Sequence, residues 1–561
     1  MASKGLKITG VVCSIIVVVV LLVILFGDIW LSNTVDKFLR SEFSKINTAY
    51  VDFGDLDIRI GQRSVTMKDV SFCTSPDNVL QEDSTGVRLH VDKVSFSGFQ
   101  FVRMLNRKEI DIHEIALKKP DIELHLPLEG HGMSKDLADT LARDTAQLKS
   151  ALLRNIIART VSVSDGHVQV CDVSNQMRVE MEDINLQVHG FGYHFGDTSF
   201  TPEDEVLEGH MLYSDSLYSF SLRNFSFLSP DGLSRTDIGE LSTKNAGPVN
   251  IREIHTHNTC AKGELAERMG KTNVAWTDIR INEITTSPVN LIRQAMARNI
   301  EIDSIHIDGE KVHYLRDARY PAKKPFPMPQ DEVLAIKIPV LVKQLNMQVP
   351  DVQVDVLTTY LENCGTLEFK HMNMSMSNIT NREGSKMHGD ARMRIGKDGE
   401  VFMQFNMTMN RAANFDFSAH VTGLDGSMFN DFSYPIFGAE MQCQIHDVTT
   451  SCAGDRNEMK GTYCMQYDSI HVRISKEDSP YQLISKNAGV INLFAPMILP
   501  KSNPKRHGDQ PLAYDVYAKR DPMSTFEFYL ISPILDGSMK TLLPGFVVKH
   551  MQKKQGVKAL K

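Results

Sequence analysis

The sequence predicts a mainly β protein: an N-terminal transmembrane helix, then an elongated, repetitive array of antiparallel strands with a few short flanking helices. Three observations carry this. An unbroken apolar run, Val11 to Phe26, stands near the start. From about residue 51 to about residue 535, apolar and polar residues alternate in short runs bounded by turn residues, the period-2 pattern of half-buried strands. A unit of strand, helical turn and strand occurs twice, the copies about 190 residues apart, which marks an internal repeat.

Residues 1–31 form the tip and the anchor. Ile8 to Phe26 is long enough, at about 1.5 Å per residue, to cross a ~30 Å hydrocarbon core. Lys4 and Lys7 precede it and place the N-terminus in the cytoplasm, with the remainder across the membrane. A cleavable signal peptide fits less well, because the apolar run is long and no small-x-small site follows it. Residues 32–50 continue as a membrane-proximal helix, with Val35, Phe38, Leu39 and Phe43 on one stripe.

The first β unit spans 51–260. Leu56, Ile58 and Ile60 alternate, the chain turns at Gly61, and Val65, Met67 and Val70 resume the alternation as a hairpin. The repeat unit follows from Val87 to Leu126: Val87, Leu89 and Val91 in a strand, then Phe99, Val102 and Leu105 at helical spacing. After these come Ile110, Ile112, Ile115 and Leu117, a break at Pro120, and Ile122 and Leu124. Residues 133–159 read as a long helix, since Leu137, Leu141, Leu148, Leu152 and Ile156 share one face. The second β unit, 261–420, carries the other copy from Val274 to Leu315, with Gly309 where Pro120 stood, and a short helix over Ala261 to Met269. Residues 318–330 are a proline-rich linker, 421–545 a C-terminal β cap region broken at Pro500 to Pro511, and 546–561 a basic tail. Asp-Gly pairs at 165–166, 231–232, 308–309, 425–426 and 536–537 read as turns.

A net charge of -8 with interspersed signs argues against nucleic acid as a partner. The eight cysteines lack CxxC spacing. Cys443, Cys452 and Cys464 are close enough for one disulfide, or stand unpaired and half-buried. His255 and His257 would share a strand face without an obvious third ligand, and read as solvated surface histidines. No nucleophile elbow, phosphate-binding loop, dinucleotide fingerprint or HExxH occurs. No enzyme, cofactor or metal site is therefore expected. What stands out is a set of large, soft side chains on one face of the strands: Met372, Met374 and Met376, then Met403, Phe405, Met407 and Met409. With so little helix to cover them, they line either a closed β core or an open apolar groove.

Taken together, the lone anchor, the hairpins and the pattern Ile112, Ile115, Leu117, Pro120, Ile122 and Leu124 resemble the start of AsmA-like proteins. Val421 to Gln442, Lys460 to Ile474 and the closing Asp521 to Gly545 resemble that family's C-terminal part. The resemblance implies a taco-like β-groove, an architecture shared with bridge-like lipid-transfer proteins. It implies an inner-membrane, single-pass protein with its bulk in the periplasm. The groove would bind lipid acyl chains through the seven residues named above, in phospholipid transport or outer-membrane and envelope homeostasis. The alternative is an anchored periplasmic scaffold or assembly factor that acts through an envelope protein partner.

Overall fold

The computed structural model describes residues 36–37, 40–41, 50–59, 62–80, 86–98, 109–126, 155–172, 176–194, 211–212, 217–357, 364–474, 500–506 and 508–542. Most of these residues are in strands. The strands belong to two compact units, one comprising residues up to Glu253 with Pro288–Met296, the other Ile254–Ser287 with Ala297 onward. The apolar run Ile8–Phe26 lies outside the described residues, and among those described no helix is long and apolar enough to cross a membrane. Asp36, Lys37, Arg40 and Ser41 are helical, inside the segment assigned to a membrane-proximal helix. Arg40 Nε donates to Asp36 Oδ1 at 3.1 Å, one turn back. Short helices interrupt the strands: α1 (Leu265–Arg268), α2 (Leu291–Ala297), α3 (Pro329–Leu334), α4 (Asn430–Phe437) and the longer α5 (Phe526–Leu542).

In the first unit β1 (Tyr50–Asp52) and β2 (Leu56–Arg59) both pair with β3 (Ser64–Cys73), so β2 and β3 form the hairpin that the alternation predicts, with Arg59 opposite Ser64; Gly61 lies outside the described residues. β4 (Gly86–Ser97) and β5 (Glu109–His125) extend the sheet antiparallel. β6 (Asn155–Cys171) then joins β5 in parallel. β7 (Met177–His194), β8 (Met211–Leu212), β9 (Tyr218–Leu228) and β10 (Ser234–Lys244) continue antiparallel, and the boundary falls within β11 (Asn250–Asn258). The start of β6 corrects the helix expected over 133–159. Asn155, Ile156 and Ile157 pair with Glu109, Ile110 and Asp111, because β6 must match the full length of its partner. Residues 133–154 lie outside the described residues.

One feature runs across this unit. Regular pairing is interrupted at a single level in strand after strand, near Asp69, Asp92, Lys119, Asp165, Asp183 and Asn224. Asp69, Lys119, Asp165, Asp183 and Asn224 hold φ between 48° and 53°, the left-handed region in which Asp and Asn are enriched. Between β6 and β7 and between β7 and β9 the register shifts there, as at a β-bulge, whereas in β3–β4, β4–β5, β5–β6 and β9–β10 pairing resumes in the same register. The interruptions also keep one face apolar. Val65 and Met67 give way to Val70 and Phe72, Ile115 and Leu117 to Ile122 and Leu124, Val161 and Val163 to Val168 and Val170. In every case the alternation slips by one residue at the interruption. Pro120, buried at this level within the continuous strand β5, occupies a position where a missing N–H is tolerated. Lys119→Gly should raise stability by about 1 kcal/mol, since Gly enters the left-handed region without a Cβ clash. Lys118→Gly, one residue earlier, should lower it; chemical denaturation of the two variants checks the pair.

The second unit repeats the arrangement. β12 (Val274–Thr286) pairs antiparallel with β13 (Ile300–Asp317), β13 pairs parallel with β14 (Val340–Leu357), and β14 pairs antiparallel with β15 (Cys364–Thr380). This is the order of β4 to β7, and α2 stands between β12 and β13 where the apolar spacing predicts a helical turn. Interruptions again align: the register shifts at Ile281 and at His371, whose φ is 53°, and pairing near Gly309 and Pro350 pauses and resumes in the same register between β13 and β14 and between β14 and β15. β16 (Lys386–Ile395), β17 (Gly399–Thr408), β18 (Phe415–Asp425), β19 (Ala439–Gly454), β20 (Glu458–Ile474) and β21 (Ala513–Lys519) complete the unit as an antiparallel meander.

Of the five Asp-Gly pairs, only Asp231-Gly232 makes a hairpin turn. Asp165-Gly166 and Asp308-Gly309 sit at bulges, and Asp425 Oδ1 caps the 3-10 turn Gly426–Phe429 by accepting from Ser427 N at 2.9 Å. Gly537 lies inside α5, where an added Cβ would stand 2.2 Å from Tyr463 Cγ. Its role is close approach of helix to sheet.

Candidate functional site

Strand pairing places Met374 beside Met347 and Ala391, Met403 beside Ala391 and Ala419, and Met376 beside Leu345 and Gly389. Phe405 stands between Gly389 and Phe417, and Met407 between Met387 and Phe415. The register therefore sets these side chains on one face of β14–β18, and Met372 joins them opposite Val349.

That face is covered unevenly. Met407 (7 % exposed) and Met409 (0 %) lie inside a closed core with Met387, Phe415, Phe417, Met459, Tyr463 and Met465. Phe526, Leu530, Ile534 and Leu542 of α5, with Tyr529, roof it from one side, and Val333 and Leu334 of α3 pack against it. Phe415 meets Phe526 and Tyr529 edge-on at 5.4 and 5.9 Å between centroids. Tyr463 Oη shares a 2.8 Å hydrogen bond with Ser538 Oγ, and burial pushes that hydroxyl's pKa up to about 12. Met376, Met403 and Phe405 are partly buried against this core, whereas Met372 and Met374 are half-buried and outside it. Closed core and open face thus occur on one surface of one unit.

In the first unit the corresponding band stays open. Ile115 and Leu117 of β5, Val161 and Val163 of β6, Leu186 and Val188 of β7 and Phe220 of β9 align across paired strands and are all partly exposed. At one end of the band, the Leu291 N–H that opens α2 donates to Tyr218 Oη at 3.1 Å. The other helical residues described in this unit are Asp36, Lys37, Arg40 and Ser41, and Arg40 donates to Phe53 O and Gly54 O beside β1.

The opposite faces are polar. In the second unit Ser377, His388, Asn406 and Asp416 form one cross-strand row, and Ser375, Asp390, Gln404 and Ser418 form the next. They line an open concavity of about 940 Å³. In the first unit Ser162, Asn185, Gln187, Ser221, Ser242 and Lys244 line one of about 590 Å³, which Val163, Leu186 and Phe220 of the band also border. The sequence reading singled out the apolar face and missed both concavities, although the Ser, Asn and Gln at alternate positions were visible in it.

A buried polar cluster lies at the far end of β13 and β14. Asp355 and His313 are 2 % and 5 % exposed. Asp355 Oδ2 accepts from His313 Nε2 at 2.8 Å and Lys262 Nζ at 3.3 Å, and Oδ1 accepts from Thr366 Oγ1 at 2.9 Å and Gln353 Nε2 at 3.0 Å. Trp276 meets His313 edge-on at 5.3 Å, and Lys262 sits over the indole. A His–carboxylate pair is half of a hydrolytic constellation, but among the described residues no hydroxyl or thiol nucleophile bonds to this imidazole, and the carboxylate is saturated by donors. The cluster reads as a buried polar plug.

His255 and His257 stack at 4.3 Å, and His255 Nε2 bonds Asp278 Oδ1 at 2.7 Å. Cys443, Cys452 and Cys464 are free thiols, and burial pushes Cys443 up to about 11.

No protein-family model matches this chain, and no curated protein matches it.

Proposed function

We propose that this chain is an envelope protein, anchored in the inner membrane by Ile8–Phe26 with its bulk in the periplasm, that holds lipid acyl chains against the apolar face of its bent sheets. Its role would be lipid transport or envelope homeostasis. The observation that carries the reading is the partly exposed aliphatic band of the first unit, from Ile115 and Leu117 to Phe220. A contiguous apolar surface of this kind marks a site of contact with an apolar partner. Acyl methylenes would gain about 0.8 kcal/mol each on leaving water for it, which holds a lipid without locking it on an open face. In the second unit Met372 and Met374 offer the same kind of surface, and their flexible side chains suit chains of varied shape. Met407 and Met409 belong instead to the core that closes the end of that face.

Adjacent residues provide the test. Leu186 pairs with Val163 in the band, and Gln187, the next residue along the strand, alternates to the other face. A photo-crosslinking residue at 186 should capture phospholipid in membranes, and the same residue at 187 should not. Equal capture at both positions, or none at 186, would sink the reading.

A second reading, a scaffold that acts through protein partners, is favoured by α5. Phe528 (53 % exposed), Ile531, Leu535 and Met539 form an exposed apolar stripe on the side of the helix away from the core. Under this reading the crosslinks at 186 yield protein adducts in place of lipid.

A further inference from the structure

Glu123, His125 and Cys171 lie together on the polar face of the first unit, where β5 and β6 end. Positions 123 and 125 are two apart on a strand, so both side chains leave the same face. The parallel register then pairs His125 with Cys171, which sets the thiol beside the imidazole. The three potential ligand atoms all lie within 4.8 Å of one another. His125 is 2 % exposed and Cys171 6 %, and the Glu123 side chain 19 %.

We propose that Glu123, His125 and Cys171 form a binding site for a zinc-class divalent cation, with a fourth position left to water. Tetrahedral coordination at about 2.0–2.3 Å sets ligand atoms about 3.5 Å apart, so small side-chain rotations close the present triangle around an ion. His125 Nε2 and Glu123 Oε1 already stand at 3.0 Å. Sulfur and imidazole nitrogen select zinc over the hard cations magnesium and calcium, which take oxygen. Charge balances: the Cys171 thiol releases its proton to solvent as sulfur binds the ion, and thiolate and carboxylate together neutralise two positive charges. Arg88 pairs with Glu123 Oε2. It leaves Oε1 to face the ion and fixes the carboxylate's orientation, as carboxylates that bind metals are usually held by a further hydrogen bond. The motif is invisible to spacing rules, since its third member comes from the neighbouring strand.

Cobalt(II) is the probe, because a cobalt–thiolate bond gives an intense near-ultraviolet charge-transfer band that carboxylates and histidine do not. Full-length protein, stripped with chelator and titrated with cobalt chloride, should develop that band and saturate at one equivalent. Zinc should abolish it by displacement. Cys171→Ser should lose the band, Glu123→Gln should weaken cobalt binding at least tenfold, and Cys464→Ser should leave the titration unchanged. Circular dichroism of each variant separates lost binding from lost fold, and Glu123→Gln, partly exposed, reports even if Cys171→Ser does not fold. No band in the parent protein, or a band that survives in Cys171→Ser, overturns the proposal.

Discussion

Met407→Glu is expected to unfold the second unit or to cost it about 4 kcal/mol or more, seen as a sharp fall in melting temperature. Met407 is 7 % exposed and packed between Met387 and Phe415 beneath the roof of α5. The core around it is built of apolar side chains with Tyr, and its strand partners, Met387 and Phe415, are apolar. A carboxylate there must be buried charged, be buried protonated, or push the helix off. Met374→Glu makes the contrast. Met374 is half-buried on the same face but outside the core, so its carboxylate can reach water and the fold should lose no more than about 1 kcal/mol. The same variant should hold less lipid if acyl chains lie on that face. Equal melting of the two variants would mean that α5 does not close the core as described.

Asp355→Ala should destabilise the second unit by about 3 kcal/mol, because it strands the imidazole of His313 and the hydroxyl of Thr366, and leaves Lys262 without its carboxylate. The pH dependence separates this from simple loss of packing. Burial alone would raise the pKa of the Asp355 carboxyl, yet the hydrogen bonds from His313, Gln353, Thr366 and Lys262 together hold it below the usual carboxylate range. A carboxyl whose folded-state value is depressed contributes stability that is fully present above its unfolded value, near pH 4. That contribution is lost as pH falls through the folded value. The parent should therefore lose stability on acidification below about pH 4 by a component that Asp355→Asn lacks, and the two unfolding curves should converge there. Curves that stay parallel would remove the charge from the account.

What the sequence by itself determined is local. Alternation requires strands, and it set Met372, Met374, Met376, Met403, Phe405 and Met407 on one face because the side-chain period of a strand is two. The order of elements in the repeat was equally legible, down to the helical turn that became α2. The interruptions were written there too, as one-residue slips from Leu117 to Ile122 and from Phe369 to Met372, but a slip looks like a break until the partner strand shows that pairing resumes. Pro120 was read as such a break and is the middle of one strand.

Tertiary structure alone decided what covers each face. Met407 and Met374 are indistinguishable in pattern, yet one is roofed by α5, an element far along the chain, and the other is not. Parallel pairing was likewise outside the reach of alternation, which is the same for either strand direction. That pairing brings Cys171 to His125, and it converts three scattered residues into a cluster. Period and composition are properties of a segment, whereas burial and coordination are properties of what the fold sets against it.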